Sequence, residues 1–252
     1  MTNPVVLITG ASAGLGVEFA RQLSARGARL VLVARRKERL EALCAELGNA
    51  RAVALDLVEP GAAERLMADV SAHGEHVDCL VNNAGFGFSG PVARIDAGKQ
   101  RDMVTLNCTV LTELARAVLP GMIERGRGGV LNVASVAAFQ AAPRFAVYSA
   151  TKAYVLSFSE ALHEEVAAKG VHVSCLCPGP VATEFFDAAG MTPRGAFQKM
   201  MMQADAVVRI GLDGLDRNQA VVVAGAANKL GTVAVRLLPR AWVRKIAGKM
   251  KF

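Results

Sequence analysis

The chain has 252 residues, of which 52% are hydrophobic, 20% charged and 5% aromatic. That balance supplies a large core, excludes a disordered chain, and is ordinary for one α/β domain. The net charge of +7 is uneven: eight of the 29 basic residues and none of the 22 acidic ones lie from Arg217 onward. The basic character belongs to the tail, so no nucleic-acid partner is expected. Met1-Thr2-Asn3-Pro4 runs straight into Val5–Ile8 with no basic n-region, and apolar runs are strand-sized, not the ~20 residues of a membrane span. These features predict a cytoplasmic protein. Cys44, Cys79, Cys108, Cys175 and Cys177 are scattered and read as small buried hydrophobes. His73, His76, His163 and His172 show no metal spacing, so no metal is expected.

Apolar runs alternate with helical periods along the chain. Strands are predicted at Val5–Thr9, Leu30–Ala34, Ala50–Leu55, Cys79–Val81, Gly129–Ala134, Val171–Cys177 and Ala220–Ala224. Helices are predicted at Leu15–Arg26, Lys37–Leu47, Ala62–Ala72, Gln100–Arg125 and Ala146–Lys169. Strands that are apolar throughout, separated by helices, imply a parallel sheet covered on both faces. The expected fold is a single-domain, doubly wound (Rossmann) α/β sheet of about seven strands. It comprises residues 1–227, with 228–252 as a basic amphipathic helical extension.

Thr9-Gly10-Ala11-Ser12-Ala13-Gly14-Leu15-Gly16 closes the first strand and opens the first helix. Glycines permit a tight turn and close backbone approach to a pyrophosphate, and a helix N-terminus offers free N–H groups. Gly10, Ser12, Gly14, Leu15 and Gly16 are the candidate phosphate contacts. The second strand ends in Arg35-Arg36-Lys37, about 20 residues past the glycines, where ribose selectivity is set. Cations there favour a 2′-phosphate, so the reading is NADP(H), with Arg35 the better contact and Arg36 second. Asp56 and Leu57 follow the third strand, where Asp56 can accept from an adenine amino group. Asn83, Ala84 and Gly85 follow the fourth, where Asn83 can meet a ribose. Taken singly, both stretches are equally well explained as turn chemistry.

Tyr148 and Lys152 share a helix face at i, i+4 spacing. A phenol ionises near ~10, so work at neutral pH calls for a nearby cation. Lys152 and an oxidised nicotinamide would both serve, and Ser135, ending the fifth strand, can donate to a substrate oxygen. The pair alone is equally consistent with an ordinary tyrosine and a solvated lysine. Thr9–Gly16, Asn82–Gly85, Asn107, Ser135, Tyr148-x-x-x-Lys152 and Pro178-Gly179 stand together in this order over roughly residues 4–185. As a set they resemble the short-chain dehydrogenase/reductase family.

The resemblance implies a dinucleotide-dependent enzyme with Tyr148 as general acid/base and Ser135 as carbonyl orienter. Lys152 would lower the tyrosine pKa and hold the nicotinamide ribose. Asn107 would position a water in a proton relay. Pro178, Gly179, Val181 and Thr183 would flank the nicotinamide. The expected activity is NADPH-dependent interconversion of a carbonyl and an alcohol. The alternatives are an isomerase or dehydratase with tightly held NADP, and a non-catalytic NADP sensor. Phe86, Phe88, Phe139, Gln140, Phe145, Phe185, Phe186 and Met191 are candidate substrate walls for an apolar carbonyl substrate. Residues 184–203, including Phe197 and Met200–Met202, read as an apolar lid.

In the tail, Leu230, Val233, Ala234, Leu237 and Leu238 form one stripe. Pro239 breaks it before Trp242, Val243, Ile246 and Met250, which stand against Arg244, Lys245, Lys249 and Lys251. Packing over the pocket or a subunit is the preferred reading. Peripheral contact with the inner membrane face and a solvated tail are the others. Val155, Leu156, Phe158 and Leu162 are candidate subunit contacts in a homodimer or homotetramer, an expectation that rests on the resemblance.

Overall fold

The computed structural model describes residues 3–191, 198 and 200–249. Seven parallel strands stand in the order β3-β2-β1-β4-β5-β6-β7. They are β1 Val5–Thr9, β2 Arg29–Ala34, β3 Ala50–Ala54, β4 Cys79–Asn82, β5 Gly128–Val133, β6 Val171–Cys177 and β7 Val221–Val223. The order reverses between β1 and β4, which opens a crevice at the carboxyl ends of the central strands. Helices α1 Gly14–Ala25, α2 Lys37–Leu47, α3 Ala62–Ala72, α4 Ala97–Val104, α5 Leu111–Glu124 and α6 Ala146–Val166 follow in turn. Then come α7 Phe185–Ala188, α8 Ala204–Asp216, α9 Ala226–Leu237 and α10 Arg240–Lys249.

Alternation along each strand divides the core. Val6 and Ile8 of β1 pack with Phe19 and Leu23 of α1, Leu40 and Leu43 of α2, and Leu212 of α8. Val5 and Leu7 point the other way, onto Leu66 of α3, Leu114 and Val118 of α5, and Leu162 of α6. Both faces are covered, which is why the strands read as unbroken apolar runs.

Three expectations change. The helical pattern at Gln100–Arg125 is interrupted by a π-helical turn, Thr105–Val110, between α4 and α5. Val155, Leu156 and Leu162 are buried inside the chain itself, because α6 lies on the sheet, so they are not a subunit face. The tail forms the two helices expected, but Leu230, Val233, Leu237, Trp242 and Ile246 stay exposed instead of packing on the body. Of the described stripe residues only Val243 is buried, together with Thr232 and Ala247 from outside the stripes. No helix among the described residues is long and apolar enough to cross a membrane.

Candidate active site

The β1–α1 turn is shaped by its glycines. Gly14 has φ +55, a region L side chains avoid. Gly16 stands so close to the Gly10 carbonyl oxygen that a Cβ there would collide with it. Gly16 therefore does not line the cleft but lets α1 pack on β1. The first turn of α1 has no side-chain cap and no acidic residue. Its free N–H groups and partial positive charge face the cleft and fit an anionic pyrophosphate.

Thr9 holds this turn, a role the sequence reading missed. Its hydroxyl accepts from the backbone N–H groups of Asn83 (3.1 Å) and Ala84 (3.0 Å). The Asn83 amide donates to the carbonyls of Thr9 (2.9 Å) and Gly10 (3.3 Å). Asn83 lines the cleft, and because its N–H₂ is committed to locking β1 to β4, the expected ribose contact falls to its side-chain oxygen. The signal was a threonine directly before the first glycine.

At the end of β2 the two arginines diverge. Arg35 lies 3.7 Å from Asp56 and is largely exposed. Arg36 reaches back over the phosphate turn, donating to the Ser12 hydroxyl (3.1 Å) and carbonyl (3.3 Å). It also pairs with Glu184 (3.0 Å), which Arg39 engages at 2.8 Å. These contacts, Arg39 first, hold the Glu184 carboxyl below the usual carboxylate range. Asp56 accepts from the N–H of Val58 at 3.1 Å, an Asx turn. Neither Arg39 nor Glu184 was singled out from sequence, because their meeting depends on the β6–α7 connection reaching α2.

The other end of the cleft holds the proton-transfer groups. Ser135 follows β5 in extended conformation, and its hydroxyl oxygen accepts from the N–H of Ala137 at 3.1 Å. That leaves the hydroxyl proton free to donate elsewhere. Tyr148 and Lys152 rise from the first turns of α6, both buried. Burial pushes the Tyr148 phenol up to about 12, with the hydrogen bond to Ser135 pulling the other way. The expected depression by Lys152 is therefore not a property of the chain alone. The Lys152 ammonium is 5.8 Å from the ring centre and donates to the Val133 carbonyl at 2.7 Å. Burial lowers Lys152 to about 8, opposed by the sulfurs of Cys175, Cys108 and Cys177.

Asn107 sits in the π-helical turn, buried behind the cleft and not on its wall. Its amide donates to the Phe86 carbonyl (3.0 Å) and the Thr151 hydroxyl (3.0 Å), and its oxygen accepts from the Phe86 N–H (3.2 Å). Thr151 in turn donates to the Tyr148 carbonyl at 2.8 Å. Thr151, also unforeseen, ties Asn107 to the helix turn that carries the tyrosine. A Cβ on Gly85 would lie 2.9 Å from the Asn107 oxygen and 3.3 Å from the Lys152 nitrogen, so both groups converge on one spot.

The phosphate turn and the proton-transfer groups open onto one cleft of about 850 Å³. Gly10, Ser12, Gly14, Leu15, Arg35, Arg36, Asp56, Leu57, Ala84 and Gly85 line its nucleotide end. Pro178, Gly179, Val181 and Thr183 are brought beside Ser135, Tyr148 and Lys152, with Phe86, Gln140, Phe145, Phe185, Phe186 and Met191 around them. Phe145 and Phe185 flank the Tyr148 ring at centroid distances of 5.6 and 5.4 Å. Gly87 makes room for that ring, since a Cβ there would meet it at 2.8 Å. Phe139 is a correction. Gln140 faces the cleft, whereas Phe139, at the end of a short 3-10 turn, is off the wall and packs below the Arg236 guanidinium at 5.8 Å. Phe88 likewise packs on Phe86 and off the wall. Within the expected lid, Met200 lines the cleft and Met201 joins the aromatic cluster. Phe197 lies outside the described residues. Among the described residues no group of three His, Cys, Asp or Glu side chains could hold a metal.

The chain is similar to known proteins over most of its length. The short chain dehydrogenase family model matches residues 4–194. The NADP-dependent 3-hydroxy acid dehydrogenase of Salmonella typhi is 39% identical over 184 residues, 72% of this chain and 74% of the relative. The very-long-chain 3-oxoacyl-CoA reductase of Bos taurus is 32% identical over 187 residues, 71% of this chain; the match spans 59% of the bovine protein's length. A short-chain dehydrogenase from Sphingobium yanoikuyae, solved in complex with NADPH, has 34% identity and a TM-score of 0.83, covering 93% of this chain and 94% of that one. The protein belongs to the short-chain dehydrogenase/reductase family and is a nicotinamide-nucleotide-dependent oxidoreductase.

Proposed function

We propose that the protein is an NADPH-dependent carbonyl reductase acting on an apolar ketone or ketoacyl compound, with the reverse alcohol oxidation using the same groups. The observation that carries the reading is the convergence of Ser135, Tyr148 and Lys152 at one end of a cleft whose other end is the phosphate turn and its arginines. When bound, a nicotinamide supplies or accepts the hydride. Arg35 and Arg36 favour NADP(H) over NAD(H), since two cations at the end of β2 suit the additional phosphate. The named NADP-dependent and NADPH-bound relatives support the same choice.

In the reduction, Ser135 donates to the substrate carbonyl oxygen and fixes its direction toward Tyr148. The phenol, held protonated across the neutral range by burial, gives its proton to that oxygen as negative charge develops. Lys152 holds the ribose side of the site and helps restore the phenol proton. Asn107, fastened to Phe86 and Thr151, holds the water that links Lys152 to solvent. Phe86, Phe145, Phe185 and Met191 exclude bulk water and favour an apolar substituent. A homodimer or homotetramer belongs to this reading, supported by Val104 and Tyr154, which stay exposed on α4 and α6.

The test is a binding titration with NADPH and NADH, then absorbance at the reduced-nicotinamide band with a panel of apolar ketones and ketoacyl thioesters. Tyr148→Phe is run in parallel. Expected are tighter NADPH than NADH binding and a loss of turnover by at least about 10²-fold in the variant, with cofactor binding retained. NADH preference would overturn the cofactor assignment, and undiminished turnover in the variant would overturn the role of Tyr148.

A further inference from the structure

The two C-terminal helices present an apolar surface that nothing among the described residues covers. Leu230, Val233 and Leu237 follow i, i+3, i+7 spacing on α9, at 73%, 55% and 80% exposure. Trp242 and Ile246 follow i, i+4 spacing on α10, at 62% and 57%. Together with Leu238, they make six of the eleven exposed large hydrophobics among the described residues; the other five are dispersed over the rest of the chain. Isolated exposed leucines need no explanation, but a concentration on two adjoining helices does.

Both helices are held to the body by their other sides. Thr232, Val243 and Ala247 are buried, Arg236 lies over the Phe139 ring, and Gly248 abuts Pro143. Asn228 and Ala247 reach the cleft wall. The apolar face is thus directed outward next to the cleft, and it is bordered by exposed Lys229, Arg236, Arg240, Arg244 and Lys245. No acidic residue occurs anywhere from Arg217 to the end.

That charge pattern selects the occupant. A second copy of the same face would set cations against cations with no carboxylate to pair them. An anionic bilayer supplies phosphates for the cations and acyl chains for the leucines, with an interfacial tryptophan suited to the boundary between them. We propose that α9 and α10 seat the protein on an anionic lipid bilayer, with the cleft beside the contact. If the carbonyl-reductase reading also holds, the substrate is a carbonyl compound that partitions into lipid and reaches the cleft from the membrane surface. Docking itself does not depend on that reading.

The lipid-binding test uses the full chain without substrate. Vesicles of phosphatidylcholine alone are compared with vesicles containing roughly one third phosphatidylglycerol, at low and high salt, by co-sedimentation. Trp242 is the only tryptophan in the chain, so its emission reports burial directly. Expected are sedimentation with the anionic vesicles, a blue-shifted Trp242 emission, and loss of both at high salt. Two variants at exposed positions, Leu237→Glu/Ile246→Glu and Arg244→Glu/Lys245→Glu, should each weaken binding at least about tenfold while melting like the parent. No sedimentation with anionic vesicles, or sedimentation unaffected by either variant, overturns the proposal. So does concentration-dependent dimerisation that shifts Trp242 emission without lipid and is abolished by the apolar variant; the face would then be a self-association surface. Turnover of a water-soluble ketone by the same variants separates the two readings: retained turnover with lost lipid binding supports docking as a separate property.

Discussion

At Glu184 a carboxylate sits where an anion of a ligand is expected, bridging Arg36 and Arg39. An NADPH phosphate arriving at Arg36 has to compete with it. Glu184→Gln is therefore expected to tighten NADPH binding roughly fivefold and leave NADH binding nearly unchanged, as read from paired fluorescence titrations. Equal tightening of both would mean that Glu184 acts on access to the cleft and not on the phosphate. Lys152 makes the opposite kind of trade. Its folded-state pKa of about 8 lies below the ordinary 10.5, so the unfolded chain binds more protons between those values. Stability then rises with pH through that window, and below about pH 8 the buried ammonium carries its full cost, roughly 3 kcal/mol. The hydrogen bond to Val133 returns about 1 kcal/mol of this. Lys152→Met should abolish turnover yet raise Tm by about 5 °C at pH 6.5, with the gain shrinking above about pH 8. A gain independent of pH, in melts run across that range, would place its origin elsewhere. The tetrad residues were legible as a set because their order and spacing are specific. The direction of the Tyr148 shift was not, because burial depends on Phe145, Phe185 and Gly87 arriving from distant segments.

Among the elements, the β1–α1 turn and the π-helical turn show two degrees of legibility. The glycine spacing at 10, 14 and 16 announced the first, and the structure adds the reason for each position. Gly16→Ala forces a methyl against the Gly10 carbonyl, so it should destabilise the fold by about 2 kcal/mol and weaken NADPH binding at least about tenfold. Chemical denaturation and cofactor titration check the two effects, and an unaltered binding constant would contradict the assigned packing. The π-helical turn was invisible. Periodicity over 100–125 reads as one helix, since one widened turn shifts the pattern by less than composition blurs it. Yet that turn carries Asn107, whose three hydrogen bonds connect Phe86 and α6. A π turn within an α-helix is a costly local arrangement that tends to occur at functional sites, which fits its place here.

For the molecule as a whole, the doubly wound parallel sheet of seven strands, covered on both faces, followed from apolar runs alternating with helical periods. Strand boundaries moved by at most one residue, as between the expected Gly129–Ala134 and the observed Gly128–Val133, and helix ends by up to three, as at Val166 for the expected Lys169. What pattern did not convey was which face of the tail points outward. Amphipathicity identifies two faces, and Thr232, Val243 and Ala247 took the inner side from neighbours that periodicity cannot identify. Because the cleft joins segments from β1 through α10, a bound dinucleotide should stabilise the entire fold. At about 100 times its Kd, NADPH adds about 2.7 kcal/mol and should raise Tm by roughly 5–10 °C, more than NADH at equal concentration. Equal shifts in a thermal melt would contradict the NADP assignment. One small contact bears on how such a molecule diversifies. Val181 bridges to Met202, whose N–H donates to the Pro180 carbonyl at 2.9 Å and whose carbonyl accepts from Ala182 at 3.0 Å. The two ends of the intervening stretch are stitched together just past the carboxyl end of β6. Lengthening a loop whose ends are already joined costs little closure entropy. The span 183–201 can therefore change in length while its ends stay joined, but a graft from a relative also replaces Glu184, which pairs with Arg36, and Phe185, which flanks the Tyr148 ring, so what the cleft admits and how the nucleotide end is held change together.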